Sequence, residues 1–217
     1  MSKLKLTQAE IDKLETVGRV ESNRRVYGAG VNTVDFEVVV EGDHIWQYRM
    51  WKSMIRRCFS EKLKARQSAY KDVTCCDEWL SFANFFSWVN REVDYMGRPV
   101  GFELDKDILM RGNKTYSPEA CSFVPQPVNK LLMGSGAVRG DFPVGVCFHN
   151  LVGKFVVQLS VDGKQKTLGY YNNPEDAFAA YKVAKEAQIK VVALRHKDVL
   201  KPAVFESLMN WEIGIGD

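Results

Sequence analysis

The sequence predicts an α+β protein of two modules, and three observations support this prediction. Asp162-Gly163 lies between two β-rich stretches and is a strong signal for a two-residue hairpin. The Gly-rich stretch 134–140 is the best candidate for a linker, so the expected modules are residues 1–133 and 141–217. Within the first module, residues 46–64 carry an apolar stripe at helical spacing, formed by Tyr48, Trp51, Met54, Ile55 and Cys58.

The composition is that of a globular protein. The chain has 217 residues, of which 46% are hydrophobic and 26% charged, which is enough for one sizeable core or two small ones. Its apolar runs stay short of the roughly 18 consecutive apolar residues that a membrane span needs. We therefore expect a cytoplasmic protein with no membrane partner.

The other elements of the first module follow from local signals. Thr7-Gln8-Ala9-Glu10 is a capping box that predicts a short helix closed by Gly18. Residues 34–40 are rich in β-formers and predict a strand, for which the stretch 26–31 is the candidate hairpin partner. A second helix is expected to begin at Asp77, and its aromatic side chains are expected in the core: Trp79, Phe82, Phe85, Phe86 and Trp88.

Positive charge is concentrated in one part of the chain. The net charge is only +3, yet residues 45–72 hold eight basic side chains and two acidic ones. Such a local excess favours binding to a polyanion. The candidate phosphate contacts on the predicted helix are Arg49, Lys52, Arg56 and Arg57, and the alternative is an ordinary solvated surface.

Five cysteines at irregular spacing indicate reduced thiols that pack as small apolar groups. The alternative is a zinc ion shared by Cys58, Cys75 or Cys76, and Cys121.

Residues 104–129 contain a motif spread over the end of the first module. Its parts are Leu104-Asp105-Lys106-Asp107, Gly112-Asn113, Tyr116-Ser117-Pro118-Glu119-Ala120-Cys121, Gln126 and Asn129. This pattern resembles the catalytic core of phage HNH-type endonucleases. The resemblance extends upstream to the aromatic and basic residues of 48–58 and to Cys76-Asp77-Glu78-Trp79.

The resemblance implies a hairpin and a helix that hold one divalent metal at a DNA phosphate. It assigns Asp105 and Asp107 as ligands of Mg²⁺ or another divalent ion, with Asn113 and Asn129 completing the catalytic set. Lys106 stands where the family places its general-base histidine, and Ala120 replaces an asparagine. His44 is the alternative source of a base. If the site is not catalytic, we expect the two aspartates to hold a turn and cap neighbouring amides.

The second module contains Leu168-Gly169-Tyr170-Tyr171 and then Pro174-Glu175-Asp176-Ala177, where proline and acids suit a helix start. Together with the preceding residues from 144 onward, these two motifs resemble the Apetala/ethylene-response-factor DNA-binding domain. This implies a three-stranded antiparallel sheet over 144–149, 153–161 and 164–171, packed on one helix. Small residues are expected to bring that helix close to the sheet: Ala177, Ala180, Ala184 and Ala187. Residues 202–211 predict a further short helix, and residues 211–217 an edge strand.

In that family the sheet enters the major groove and carries arginines that contact DNA. Here Val144-Gly145-Val146-Cys147-Phe148-His149 replaces the arginine-rich strand. The expected nucleic-acid contacts are therefore His149, Lys154, Gln158, Lys164 and Lys166. These residues favour weak or non-specific binding of double-stranded DNA. The alternative is again a solvated lysine face.

Together the two resemblances imply a bacteriophage DNA-binding protein of the HNH homing-endonuclease type with a degenerate active site, placed in the host cytoplasm. Two alternatives stay open. One is a non-catalytic DNA-binding or regulatory protein, and the other is a phage factor that binds and modulates a host protein.

Overall fold

The structure, a computed structural model, describes residues 25–96, 101–132 and 142–215. It combines α-helices with small β-sheets, as the α+β prediction requires, and divides into two compact units, Met1–Phe123 and Val124–Asp217. The helix expected over residues 7–18 and the linker expected over 134–140 lie outside the described residues. Within the described ranges, we find no helix with the length and apolar character needed to traverse a bilayer.

In the described part of the N-terminal unit, three helices form the frame: α1 (Trp46–Phe59), α2 (Glu61–Arg66) and α3 (Phe82–Met96). The single helix expected over 46–64 is broken at Ser60, whose hydroxyl accepts a hydrogen bond from the Leu63 amide at 3.3 Å and caps α2. The helix expected to begin at Asp77 begins at Phe82 instead. Asp77–Leu80 forms a short 3-10 segment whose first residue is not capped by a side chain.

The core of this unit is aromatic, as predicted. Trp79, Phe82 and Phe85 are fully buried, and Trp51 packs beside Phe82 with ring centroids 5.4 Å apart. The Trp51 indole N–H donates to the carbonyl of Trp79 at 2.8 Å, which satisfies the one polar atom of its buried ring. A Cβ at Gly30 would lie 2.7 Å from Trp51 Cζ2, so glycine is needed there for close packing.

The strands of this region are short and form three two-stranded pairs. The pairs are β1 (Val39–Val40) with β2 (Asp43–His44), β3 (Thr74–Cys75) with β5 (Thr115–Tyr116), and β4 (Phe102–Asp105) with β6 (Ser122–Pro125). The strand expected over 34–40 is thus reduced to two residues. Its partner is β2 and not the stretch 26–31, because the turn at Glu41-Gly42, where both residues have positive φ, closes a tight hairpin.

The C-terminal unit contains α4 (Gln126–Leu132), β7 (Val146–His149), β8 (Lys154–Val161), β9 (Lys164–Tyr171), α5 (Pro174–Arg195) and α6 (Pro202–Met209). The three strands form an antiparallel sheet in the order β7-β8-β9, and α5 contacts all of them, which confirms the predicted sheet on a helix. The unit begins earlier than the expected residue 141 because α4 packs against α5. Residues 211–215 do not form the expected edge strand.

The approach of α5 to the sheet depends on one glycine. Gly145 has φ +76°, and a Cβ there would lie 2.1 Å from Cδ2 of the buried Tyr181. Asn173 fixes the start of α5, because its side-chain oxygen accepts a hydrogen bond from the Asp176 amide at 2.8 Å. Ala177 is fully buried, as expected, whereas Ala187 is exposed and does not face the sheet.

Candidate nucleic-acid interface and Asp105–Asp107 turn

The β7-β8-β9 sheet has one side covered by α5 and one side open. Val157 and Leu159 are buried, whereas Gln158 between them is exposed. Because successive strand residues point to opposite sides, Gln158 lies on the open side. The strand register places nine residues on this side, which we call the open sheet face: Cys147, His149, Lys154, Val156, Gln158, Ser160, Gln165, Thr167 and Tyr170. Of these, Val156 is buried.

Three of the predicted nucleic-acid contacts come together on the open sheet face. His149 pairs with Lys154 across β7 and β8, and Gln158 lies farther along β8 on the same side. Gln158 pairs with Thr167 across β8 and β9, while the His149 ring lies 6.1 Å from the Tyr170 ring, edge to face. The face therefore combines a cation, an amide, a hydroxyl and two rings within one small area.

The two lysines of β9 lie on the other side of the sheet. Lys166 pairs with the buried Leu159, and Lys164 pairs with Val161. A bulge at Val157/Gln158 shifts the register of β9, since Gly169 pairs with Val157 and Thr167 with Gln158. Both lysines are exposed, but they project toward the α5 side and do not belong to the open sheet face.

Three cations of α1 form a second positively charged surface, which we call the α1 cationic row. Arg49, Lys52 and Arg56 are exposed and spaced three and four residues apart, so they share one side of the helix. Among the described residues these three side chains have no carboxylate partner within ion-pair distance. Their charge is thus available to a ligand.

Arg57 differs from the other predicted cations of α1. Its guanidinium donates to the Tyr116 hydroxyl at 3.1 Å and lies 5.8 Å from the Tyr70 ring centroid. Burial disfavours the Arg57 cation, but Tyr116, Tyr70 and Glu103 outweigh it and raise its pKa above the ordinary value. Burial also raises the pKa of Tyr116 to about 12. Arg57 therefore joins α1 to β5 and does not extend the α1 cationic row.

Asp105 closes the turn that follows β4. Its Oδ1 accepts hydrogen bonds from the backbone amides of Asp107 and Ile108, each at 2.8 Å. Burial raises the pKa of Asp105, and the two amide hydrogen bonds offset this only in part. The residue acts as a local amide acceptor, which is the structural alternative that its sequence context left open.

Lys106 brings a buried cation into the same turn. The residue is 8% exposed, and its Nζ lies 2.5 Å from Asp107 Oδ1 and 3.0 Å from the carbonyl oxygen of Asn113. Its ammonium also lies 5.9 Å from the Tyr116 ring centroid. Lys106 is thus bonded to Asp107 directly and sits one residue from Asp105.

Asn113 is fully occupied in holding the turn together. Its amide nitrogen donates to the carbonyls of Lys106 at 2.9 Å and Thr115 at 2.7 Å, and its oxygen accepts from the Thr115 amide at 3.1 Å. The predicted residues Asp105, Asp107 and Asn113 therefore lie in one hydrogen-bonded turn, with Lys106 at its centre.

The remaining predicted residues lie elsewhere. Asn129 is half-buried on α4, in the C-terminal unit. His44 ends β2, where its ring packs 4.7 Å from the Tyr48 ring.

The turn does not fit a divalent metal in its present arrangement. Magnesium needs several oxygen ligands in near-octahedral geometry. Here Asp105 Oδ1 is used by two amides, and Asp107 Oδ1 is bonded to the Lys106 ammonium. Among the described residues there is no cluster of three His, Cys, Asp or Glu side chains that could hold a metal ion.

The cysteines are free thiols in the described chain, as predicted. A hydrogen bond with Cys75, together with burial, raises the pKa of Cys58, and the same hydrogen bond lowers that of Cys75. Burial raises the pKa of Cys121. The alternative zinc site is not formed, because the described residues bring no three His, Cys, Asp or Glu side chains together in a metal-binding arrangement.

Two features escaped the sequence reasoning. Tyr170 belongs to the open sheet face, and only the register with its bulge could reveal this. The N-terminal unit also has an open cleft of about 290 Å³ lined by Glu78, Trp79, Asn84, Trp88, Arg91 and Pro118. The aromatic density around Trp79 and Trp88 gave a signal for core packing but none for a cleft.

Comparison with protein-family models, with curated proteins and with solved structures finds no match to this chain.

Proposed function

We propose that this protein binds double-stranded DNA through the open sheet face. The observation that supports this most strongly is the convergence of His149, Lys154 and Gln158 on the side of the sheet opposite α5. A small antiparallel sheet is narrow enough to enter the major groove, where polar side chains reach base edges. The α5 helix supports this sheet from behind.

Each side chain of the face suits a particular kind of contact. Lys154 is exposed and can neutralise a phosphate, whereas Gln158 can make a bidentate contact with an adenine edge. Tyr170 is 49% exposed and offers apolar surface to a thymine methyl group. The nine described residues of this face include no arginine, so affinity would come mainly from phosphate contacts and sequence preference would be modest.

The α1 cationic row supplies further phosphate contacts in this proposal. Arg49, Lys52 and Arg56 present three cations on one helix side without competing carboxylates in the described chain. Counterion release makes such binding strongly dependent on salt concentration. Each phosphate contact contributes roughly 0.9 to the slope of log affinity against log salt.

A metal-dependent endonuclease is the second candidate. It is favoured by the proximity of Asp105, Asp107 and Asn113 in one turn. The Lys106–Asp107 ion pair weighs against it, because the ammonium would have to leave before a divalent ion could bind. We therefore place DNA binding first and treat this turn as a structural feature of a non-catalytic protein.

The test has two parts. In the first, duplex DNA is titrated with the full chain at several salt concentrations, and binding is measured by fluorescence anisotropy. In the second, supercoiled plasmid is incubated with the protein in Mg²⁺, Mn²⁺ or EDTA, and nicking is measured. Salt-dependent binding without nicking would support the proposal. Nicking that requires metal and disappears in Asp105→Ala would replace it with the endonuclease. Absence of both would favour the third possibility, a phage factor that acts on a host protein.

A further inference from the structure

Helix α5 has apolar residues on two opposite sides. Its inner side is buried and includes Ala177, Tyr181, Ile189 and Val192. Its other side faces solvent and carries large apolar residues, with Val183 70% exposed, Val191 54% and Leu194 55%. A globular-protein helix usually has a polar outer side, and a helix that is apolar all round is usually buried. The outer side of α5 therefore lacks the expected solvated character.

These exposed residues form one continuous surface. At about 100° per residue, Ala180, Val183, Ala187, Val191 and Leu194 fall within an arc of roughly 80° on the side opposite the core. Ala187 lies at the centre of this arc, which explains why it is exposed and does not face the sheet as expected from the sequence. We call this set the outer face of α5.

The outer face is symmetric along the helix. Ala187 is midway in the chain between Val183 and Val191, and also midway between Ala180 and Leu194. When two such helices are packed antiparallel about a two-fold axis at Ala187, Val183 meets the partner's Val191. Leu194 then meets the smaller Ala180 of the partner subunit, so a large residue fills the space left by a small one. Self-complementarity of this kind is what an isologous interface requires.

The charges beside the outer face are also self-complementary. Glu186 and Lys190 lie on the same flank of α5, and in an antiparallel helix pair equivalent flanks meet. Measured along the helix axis, Glu186 and the partner's Lys190 would lie within about 3 Å of each other, and the two-fold symmetry forms this ion pair twice. Glu186 is already held in position by the Ile213 amide at 2.8 Å and by Lys182 at 3.0 Å. Lys190 is exposed and free to reach across.

We propose that this protein forms a homodimer in which the outer faces of α5 from two copies pack antiparallel, with the two-fold axis at Ala187. The occupant of the exposed apolar surface is a second copy of the chain. This inference is independent of DNA binding, because the outer face lies on the side of α5 away from the sheet.

The test measures self-association of the full chain by sedimentation equilibrium over a range of protein concentrations. Val183→Glu alone places a carboxylate against Val191 of the partner subunit and weakens the dimer more than about tenfold. Val191→Lys alone has the same effect. The double variant Val183→Glu/Val191→Lys restores association, because the introduced opposite charges then face each other twice across the axis.

A matched control is Leu151→Glu, which adds the same charge at an apolar residue that is 94% exposed outside the outer face. It leaves association unchanged, and circular dichroism melting checks that every variant is folded. A monomer at all concentrations overturns the proposal, and so does a dimer that both single variants leave intact. Loss of association in the single variants without recovery in the double variant overturns the antiparallel register.

Discussion

The ammonium of Lys106 lies 2.5 Å from the Asp107 carboxylate, inside the turn where the sequence pattern predicts a divalent metal. The resemblance to HNH-type endonucleases predicted this lysine at the position of a general base, whereas in the structure its ammonium is held by Asp107 and by the Asn113 carbonyl. These two contacts tie the turn together around the Lys106 Nζ. This relationship makes the stability of the turn depend on Lys106.

Replacement of Lys106 by methionine is expected to destabilise the protein. The substitution keeps the buried length of the side chain but leaves the Asn113 carbonyl without this donor. Asp107 is 47% exposed and can be solvated, so the loss is expected to be moderate, about 1–3 kcal/mol in the free energy of unfolding. Urea unfolding measures it, with Lys114→Met as the control, since Lys114 is an exposed lysine of the same loop. Equal effects of the two variants would contradict the assigned role.

Divalent metal ions are expected to leave the thermal stability unchanged. A ligand that binds only the folded state raises the melting temperature in proportion to the logarithm of its concentration. Lys106 bonds to Asp107 Oδ1, and two backbone amides bond to Asp105 Oδ1, so Mg²⁺, Mn²⁺ and EDTA should give the same melting curve. A concentration-dependent rise with Mn²⁺ that Asp105→Ala abolishes would show that the turn opens to bind metal.

Asp105 is expected to make stability fall as pH rises. Burial raises the pKa of Asp105 in the folded chain above 3.8, its ordinary value. At a pH between the pKa of the unfolded chain and that of the folded chain, Asp105 is therefore protonated in the folded chain and ionised in the unfolded chain. Unfolding free energy therefore decreases through this window as pH increases. Asp105→Asn keeps an oxygen for the two amides and removes the charge, so its stability relative to the natural chain should improve as pH rises from acid to neutral.

Asp105→Ala separates the two roles of the residue. It removes the amide acceptor as well as the charge, so it should cost about 1–3 kcal/mol at acid pH and less as pH rises toward neutral. Urea unfolding from acid to neutral pH checks both variants. A stability difference between Asp105→Asn and the natural chain that does not change with pH would contradict the raised pKa.

Gly145→Ala is expected to disrupt the packing of α5 on the sheet. The new Cβ would meet the Tyr181 ring at 2.1 Å, and the positive φ of Gly145 adds backbone strain. Together these effects should cost about 2–5 kcal/mol. Gly153→Ala is the matched control, because its φ is also positive while nothing lies within 4 Å of the added Cβ. Its cost should be about 1 kcal/mol, and thermal melting compares the two.

Local signals predicted the second unit well. Asp162 and Gly163 both have positive φ, as an Asp-Gly hairpin turn requires, and Asn173 with Pro174 starts α5 within the expected stretch. The aromatic spacing after Asp77 placed the core correctly. The break at Ser60 was missed because the apolar stripe continues past it, although a serine followed by a glutamate is an ordinary helix start.

The candidate site was predicted less completely, because it depends on tertiary geometry. The Asp162-Gly163 turn sets the register that pairs Lys164 and Lys166 with Val161 and Leu159. The bulge at Val157/Gln158 then changes the side on which Tyr170 projects, and no local sequence signal marks it. Arg57 was grouped with the cations of α1, but its partner Tyr116 lies 59 residues away along the chain. The role of Lys106 likewise depends on a carbonyl seven residues later.

The central claim is that DNA binds the open sheet face, and a comparison of two lysines tests it most directly. Lys154 belongs to this face, whereas Lys166 projects to the α5 side. Fluorescence anisotropy with duplex DNA at several salt concentrations would compare Lys154→Gln with Lys166→Gln, two variants with the same change of charge.

The account predicts that Lys154→Gln weakens binding and lowers the salt slope by about 1, while Lys166→Gln has a clearly smaller effect on both. Equal losses in the two variants would show that DNA responds only to the overall charge of the sheet. A larger loss for Lys166→Gln, or unchanged binding in Lys154→Gln, would contradict the assignment of the open sheet face.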